Sequence, residues 1–194
     1  FLPTNRRTMK LTILDPGHFH AALVQKNMYA DIDETVHVYA PAGPDLDEYL
    51  RKIDGYNARA QAPTHWRVQA HTGADFLERF LAERSGDMVV LAGNNRRKTE
   101  YIAQAVGARL HTLADKPMVI DDAGFEALVQ AFNVARENEV LHWLARGKTD
   151  AEIAALLGLS PRTVQKHLEH IYIKLGVETR TAAVMRSMAK RLQH

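Results

Sequence analysis

Between Lys10 and Phe132 short β-rich runs alternate with amphipathic helical stretches, and beyond Asp121 the β-rich runs stop. Residues 11–14, 36–39, 66–68, 88–91 and 110–113 read as strands. Residues 19–29, 45–53 and 99–106 read as helices between them, as does the stripe Phe76, Leu77, Phe80, Leu81. Such an alternation buries its apolar faces most simply as an open parallel sheet with helices on both sides. Residues 10–132 are therefore expected to form an α/β domain, and residues 133–194 an all-α domain.

No Gly-, Pro- or Ser-rich stretch separates the two parts. The stripe Phe125, Leu128, Val129, Phe132 continues through Val140, Trp143 and Leu144, so the last helix of the first part should run into the first helix of the second. Strong helix-end signals follow. Gly147 stands as a terminating glycine, where a left-handed residue closes a helix. Thr149-Asp150-Ala151-Glu152 reads as a capping box for a short helix with Ile153, Leu156 and Leu157 on one face, ended by Gly158. Ser160 caps the next helix with Pro161 at its first position, the favoured arrangement. Val164, Leu168, Ile171 and Leu175 line its apolar side, and Gly176 closes it. A last helix is expected over 179–192, with Met185, Met188 and Leu192 on one side.

Two short helices joined by a tight turn fit the helix-turn-helix geometry, whose second helix enters a major groove about 12 Å wide. Opposite the apolar stripe stand Arg162, Gln165, Lys166, Glu169 and His170, long side chains able to reach base edges. Ser160, Thr163 and Lys174 are placed for phosphates, and the helix N-terminus adds partial positive charge. His167 reads either as a DNA contact or as a packed histidine. From Asn133 onward ten Lys and Arg face six Asp and Glu, a net +4, while the remainder carries fifteen against seventeen, a net −2. A small basic module points to a polyanion, although a solvated helical surface has the same composition.

The runs Arg136-Glu137-Asn138-Glu139-Val140-Leu141, Gly147-Lys148-Thr149-Asp150-Ala151-Glu152-Ile153-Ala154, Ser160-Pro161-Arg162-Thr163-Val164-Gln165-Lys166-His167-Leu168 and Ile171-Tyr172-Ile173-Lys174-Leu175-Gly176-Val177 together resemble the LuxR-type regulators. Arg180 and Ala183-Val184 continue the likeness. The resemblance implies a four-helix domain that binds double-stranded DNA, commonly as a homodimer through its last helix. Two positions depart from the pattern: Gln165 stands where the family has lysine, and His170 where it has asparagine. Asn133-Val134 replaces the usual Leu-Thr before the first helix, which suits a helix continuous with what precedes it.

In the first part, Asp15-Pro16-Gly17-His18-Phe19-His20 occupies the place of a glycine-rich nucleotide loop, with only the middle glycine present. One glycine still allows close backbone approach to a pyrophosphate. The acid expected after the second strand is absent, since Tyr39-Ala40-Pro41 stand there and Asp45 and Asp47 lie farther on. With Val89-Val90-Leu91-Ala92-Gly93-Asn94-Asn95 and Ala114-Asp115-Lys116-Pro117, residues 10–132 resemble the Gfo/Idh/MocA oxidoreductases. The resemblance implies a Rossmann-like fold and NAD(P), held near Gly17, His18, Phe19, Asn94, Asn95, Asp115, Lys116 and Pro117. Lys116 would stand beside the nicotinamide as the one catalytic candidate. The family's Asn-x-x-His reads Asn95-Arg96-Arg97-Lys98 here, and Asp115 replaces a glutamate. No segment remains for the substrate domain of that family, so catalysis is not expected. The same residues also read as turns and surface solvation.

The chain has no cysteine, which removes disulfides, thiolate metal sites and thiol nucleophiles. No apolar run approaches the roughly 20 residues of a membrane span, and residues 1–9 read as a tail and not a signal peptide; a cytoplasmic protein is expected. His18 and His20 are the one close histidine pair, and two imidazoles do not complete a metal site, so no metal is expected. The expectation is a Rossmann-like parallel sheet lacking its substrate domain, followed by a LuxR-type helix-turn-helix domain. It would regulate transcription on duplex DNA, with a nucleotide or small metabolite as a candidate ligand of the first part. The alternative is a truncated NAD(P)-dependent oxidoreductase.

Overall fold

A computed structural model describes residues 8–192, with side chains to Ala189. The tail expectation for residues 1–9 falls mostly on residues outside this range, as does the Leu192 side chain. The chain divides into two compact units on either side of the Ala131–Phe132 bond.

The first unit holds five parallel strands, β1 (Met9–Leu14), β2 (Ile32–Ala40), β3 (Arg67–Thr72), β4 (Met88–Leu91) and β5 (His111–Ala114), in the order β3-β2-β1-β4-β5. Helices α1 (His20–Leu23), α2 (Pro44–Ala58), α3 (Phe76–Glu83) and α4 (Lys98–Gly107) alternate with them, and α5 (Asp122–Leu144) follows. The expected open parallel sheet with a Rossmann-like order is present. Central strands of such a sheet are covered on both faces, so their side chains split by the period of two. Leu11, Ile13, Val36, Val38 and Val90 pack with Leu46, Tyr49 and Ile53 of α2 and with Trp66. Leu14, Tyr39, Val89 and Leu91 pack with Phe76, Phe80, Tyr101, Ile102 and Leu128 on the other face. Each aliphatic side chain withdrawn in this way contributes about 1.5–3 kcal/mol.

The helix expected over 19–29 is cut to the four residues of α1. After Leu23 the amides of Gln25 and Lys26 reach back three residues and not four, to Ala22 and Leu23. The carbonyls that would continue the helix are taken elsewhere. Trp66 Nε1 donates to the Gln25 carbonyl at 2.6 Å, and Arg59 donates to that of Lys26 at 2.5 Å. Tertiary bonds override local helix propensity here. The second strand starts four residues earlier than expected, and the third is shifted to Arg67–Thr72, paired along its length with residues 35–40 of β2.

The second unit is helical: the later turns of α5, then α6 (Asp150–Leu157), α7 (Pro161–Leu175) and α8 (Arg180–Leu192). The division between units falls inside α5, an unbroken helix, as the missing linker predicts. Val140, Leu141, Leu144, Ile153, Ala154, Val164, Leu168, Ile171 and Ala183 form the core of this unit. The face of α8 turned to this core carries Ala183 and Ser187, while Met185 and Met188 are exposed. Among the described residues no helix is long and apolar enough to cross a membrane.

Candidate functional site

The end signals in residues 147–176 all form. The Thr149 side chain accepts from the Glu152 amide, and the Glu152 carboxylate accepts from the Thr149 amide at 2.8 Å. Gly158 and Gly176 close α6 and α7 with left-handed φ of 64° each, a conformation that costs glycine least. Ser160 accepts from the Thr163 amide at 3.1 Å, with Pro161 in the first turn of α7. Only residues 158–160 separate α6 from α7. Arg180 ties the start of α8 to this motif by bonding Asp150 at 2.6 Å and the Lys148 carbonyl.

The Glu152 carboxyl is lowered to about 2 by the Thr149 amide first, then by Lys148 and the Thr149 hydroxyl. A carboxyl held below its unfolded value adds stability above that unfolded value, near 4.5, and loses it as the pH falls toward about 2. The melting temperature of the second unit should therefore fall between pH 5 and pH 2.5, and Glu152→Gln should make that fall smaller. An identical fall in the variant would remove the capping box as its source.

With Val164, Leu168 and Ile171 buried, α7 turns Arg162, Gln165, Lys166 and Glu169 to solvent. Among the described residues no hydrogen bond or ion pair holds Arg162, Gln165 or Lys166. Ser160 is exposed and Thr163 half-buried at the N-terminal end of the same helix. His167 is half-buried, and its pKa is lowered, by burial first and then by the Arg136, His170 and Lys166 charges against the opposing pull of Glu137. It favours the neutral ring and adds little charge toward a phosphate. Lys174, expected on a phosphate, instead donates to Glu137 of α5 at 2.6 Å. His170 lies 3.8 Å from the other oxygen of that carboxylate. The Glu137 side chain is only 8% exposed, so a counter-charge from α7 offsets the cost of its burial. No local sequence pattern signals this link.

The loop after β1 is closed on the loop after β4. The amides of Gly17 and His18 both donate to the Ala92 carbonyl at 3.2 Å, so the groups that would cradle a pyrophosphate are already used. Pro16 and Gly93 form a bridge. A Cβ on Gly93 would stand 2.3 Å from the Gly17 nitrogen and 2.4 Å from the Asp15 carbonyl oxygen. Neither backbone atom can swing away, so Gly93→Ala should cost about 1–3 kcal/mol by overpacking, seen as a lower urea midpoint. A Cβ on Gly17 meets Gly93 Cα at a milder 3.3 Å, so Gly17→Ala should cost less. Equal midpoints for the two variants would contradict this packing.

Beside Gly17 lies a cleft of about 190 Å³, lined among others by Phe19, Asp45, Glu48 and Lys52. Asp45 therefore does reach the loop, although its distance along the sequence argued against it. Lys52 is paired with Glu48 at 2.6 Å. Asn94 and Asn95 are exposed, and Asn94 accepts from the Arg97 amide through its carbonyl and its Oδ1. Lys116 and Pro117 are exposed, joined by a cis peptide. Asp115 faces the β1 loop: its Oδ2 is 3.2 Å from His20 Nδ1 and 3.7 Å from His18 Nδ1, and its Oδ1 pairs with Lys98. The Lys98 side chain is 2% exposed. Partial burial raises the Asp115 pKa, but the hydrogen bonds from Lys98 and His20 and the Lys98 and His18 charges lower it further, below the usual carboxylate range.

By geometry the second unit is a helix-turn-helix module. Comparison with known proteins assigns the type: residues 134–187 match the bacterial regulatory proteins of the luxR family, so this unit carries a LuxR-type helix-turn-helix domain. The transcriptional activator protein EsaR of Pantoea stewartii subsp. stewartii is 35% identical over 111 residues, covering 56% of this chain and 39% of EsaR. The probable transcriptional regulatory protein SgaR of Hyphomicrobium methylovorum is 52% identical over 139 residues, covering 61% of this chain and 65% of SgaR. The first part matches a crystal structure from Parabacteroides merdae described as an oxidoreductase. The TM-score is 0.67 with 48% identity, over 68% of this chain and 30% of that one. The chain thus spans well under half the length of EsaR and of the oxidoreductase.

Proposed function

We propose that the chain is a transcriptional regulator that binds duplex DNA by laying α7 in a major groove. The carrying observation is the edge Arg162, Gln165, Lys166, which is exposed and, among the described residues, unpaired on a helix whose opposite side is buried in the core. A helix about 10–12 Å across fits the groove. Arg162 and Lys166 supply charge and bidentate or point donors, Gln165 an amide suited to adenine, and Ser160 and Thr163 contacts to phosphate at the helix N-terminus. The luxR-family match and the regulators EsaR and SgaR support the same reading. The exposed Met185 and Met188 on α8 support a homodimer through that helix. Selection of bound duplexes from a random pool tests the reading. It should enrich a motif with two-fold symmetry, and recovery of the pool without enrichment would defeat it.

A second reading, nucleotide sensing by the first unit, is supported by the oxidoreductase likeness. The geometry gives it less. The Gly17 and His18 amides are engaged, the adjoining cleft is lined by Asp45 and Glu48, and 190 Å³ is small beside the roughly 300–1,000 Å³ of ligand pockets. Quenching of NADPH fluorescence, lost in Lys116→Ala, would support it; no quenching would remove Lys116, Asn94, Asn95 and Pro117 as cofactor contacts.

A further inference from the structure

We infer that His18, His20 and Asp115 form a site for a divalent transition ion of the zinc type. Sequence spacing offered two imidazoles; the fold adds a carboxylate from the end of β5, ninety-five residues from His20. The three ligand atoms lie within 4.8 Å of one another. Two of the separations, 3.2 and 3.7 Å, bracket the ~3.4 Å between ligand atoms on a tetrahedral ion with bonds of about 2.0–2.1 Å. Coordination therefore needs side-chain adjustment and no change of backbone.

The chemistry of the donors selects the ion. Two imidazoles and one carboxylate suit Zn²⁺, Co²⁺ or Ni²⁺, whereas Mg²⁺ and Ca²⁺ prefer oxygen alone. Lys98 holds the second oxygen of Asp115 and so fixes the carboxylate, as an outer-shell partner does in metal sites. Lys98 also competes with the ion for Asp115, so binding is expected to be weaker than at a structural zinc. The loop is anchored by the Gly17 and His18 amides on Ala92, so the two histidines are presented from a fixed backbone. The His18 and His20 side chains are 46% and 35% exposed, leaving a fourth coordination position open to water or a small anion.

Calorimetric titration of the whole chain with Zn²⁺ tests the site. The expected result is one ion per chain with micromolar Kd, weakened tenfold or more in both His18→Gln and His20→Gln. His71→Gln is the control, because His37 and His71 form another imidazole pair with nitrogens 3.1 Å apart, and it should leave binding unchanged. A fold-independent measurement follows the histidine rings of the unmodified chain by NMR. The two rings shifted most by Zn²⁺ should be those contacting Phe19, whose ring centroid lies 4.4 and 4.3 Å from theirs. Absence of saturable binding, loss of binding only in His71→Gln, or shifts confined to other histidines would overturn the assignment.

Discussion

Replacing Arg162 and Lys166 together by alanine should weaken duplex binding about a hundredfold or more at moderate salt, with the helical content of the chain unchanged. Each contact of this kind is worth about 1–3 kcal/mol, and every 1.4 kcal/mol is about tenfold in affinity. Both side chains are exposed, so their loss opens no cavity. Neighbouring positions give results of opposite sign. Glu169 shares the exposed side of α7, and Glu169→Gln should tighten binding a few-fold by removing repulsion from phosphate. Lys174→Ala should act chiefly on stability, since it strands the carboxylate of Glu137, and the folded molecule should bind DNA nearly as before. Fluorescence anisotropy with a labelled duplex measures all three. Equal losses in Lys174→Ala and in the double variant would contradict the division of roles along α7.

Leu168→Ala should abolish most of the stability of the second unit. Leu168 is 4% exposed within the core of that unit, and truncations of this kind cost about 2–5 kcal/mol. A unit of this size holds roughly 3–9 kcal/mol in total, at about 0.05–0.15 kcal/mol per residue. Hydrogen exchange should accelerate in α6 and α7 by at least about thirtyfold, while β1 and β4, which draw on separate cores, keep their protection. Undiminished protection in α6 and α7 would show that Leu168 is not at the centre of that core.

These variants also mark how far the sequence can be read. The boundaries of α6 and α7 were legible because local chemistry sets them: Thr149 with Glu152, Gly158, Ser160 with Pro161, and Gly176 each act within four residues. The parallel sheet was legible for a similar reason, since β1, β2 and β4 each carry their own apolar run, whereas β3, Arg67–Thr72, carries none and was misplaced. The exposed edge of α7 followed from the same periodicity that buries Val164, Leu168 and Ile171. Long-range pairings were not legible. Lys174 was expected on a phosphate, but its partner Glu137 lies thirty-seven residues away. The early end of α1 depends on carbonyls claimed by Trp66 and Arg59. Asp115 joins His18, His20 and Lys98 only because β5 ends beside the β1 loop, and Asp45 reaches Gly17 only because α2 begins there.

The most direct measurement is the affinity of the unmodified chain for duplex DNA across a salt series. A groove-bound basic helix neutralises phosphates and releases counterions, so log K should fall linearly with log salt at about −0.9 for each contact. The expected slope is about −3 or steeper, made shallower by about one in Lys166→Ala. Binding that ignores salt, or a slope that Lys166→Ala leaves unaltered, would mean that the free edge of α7 is not what meets the duplex.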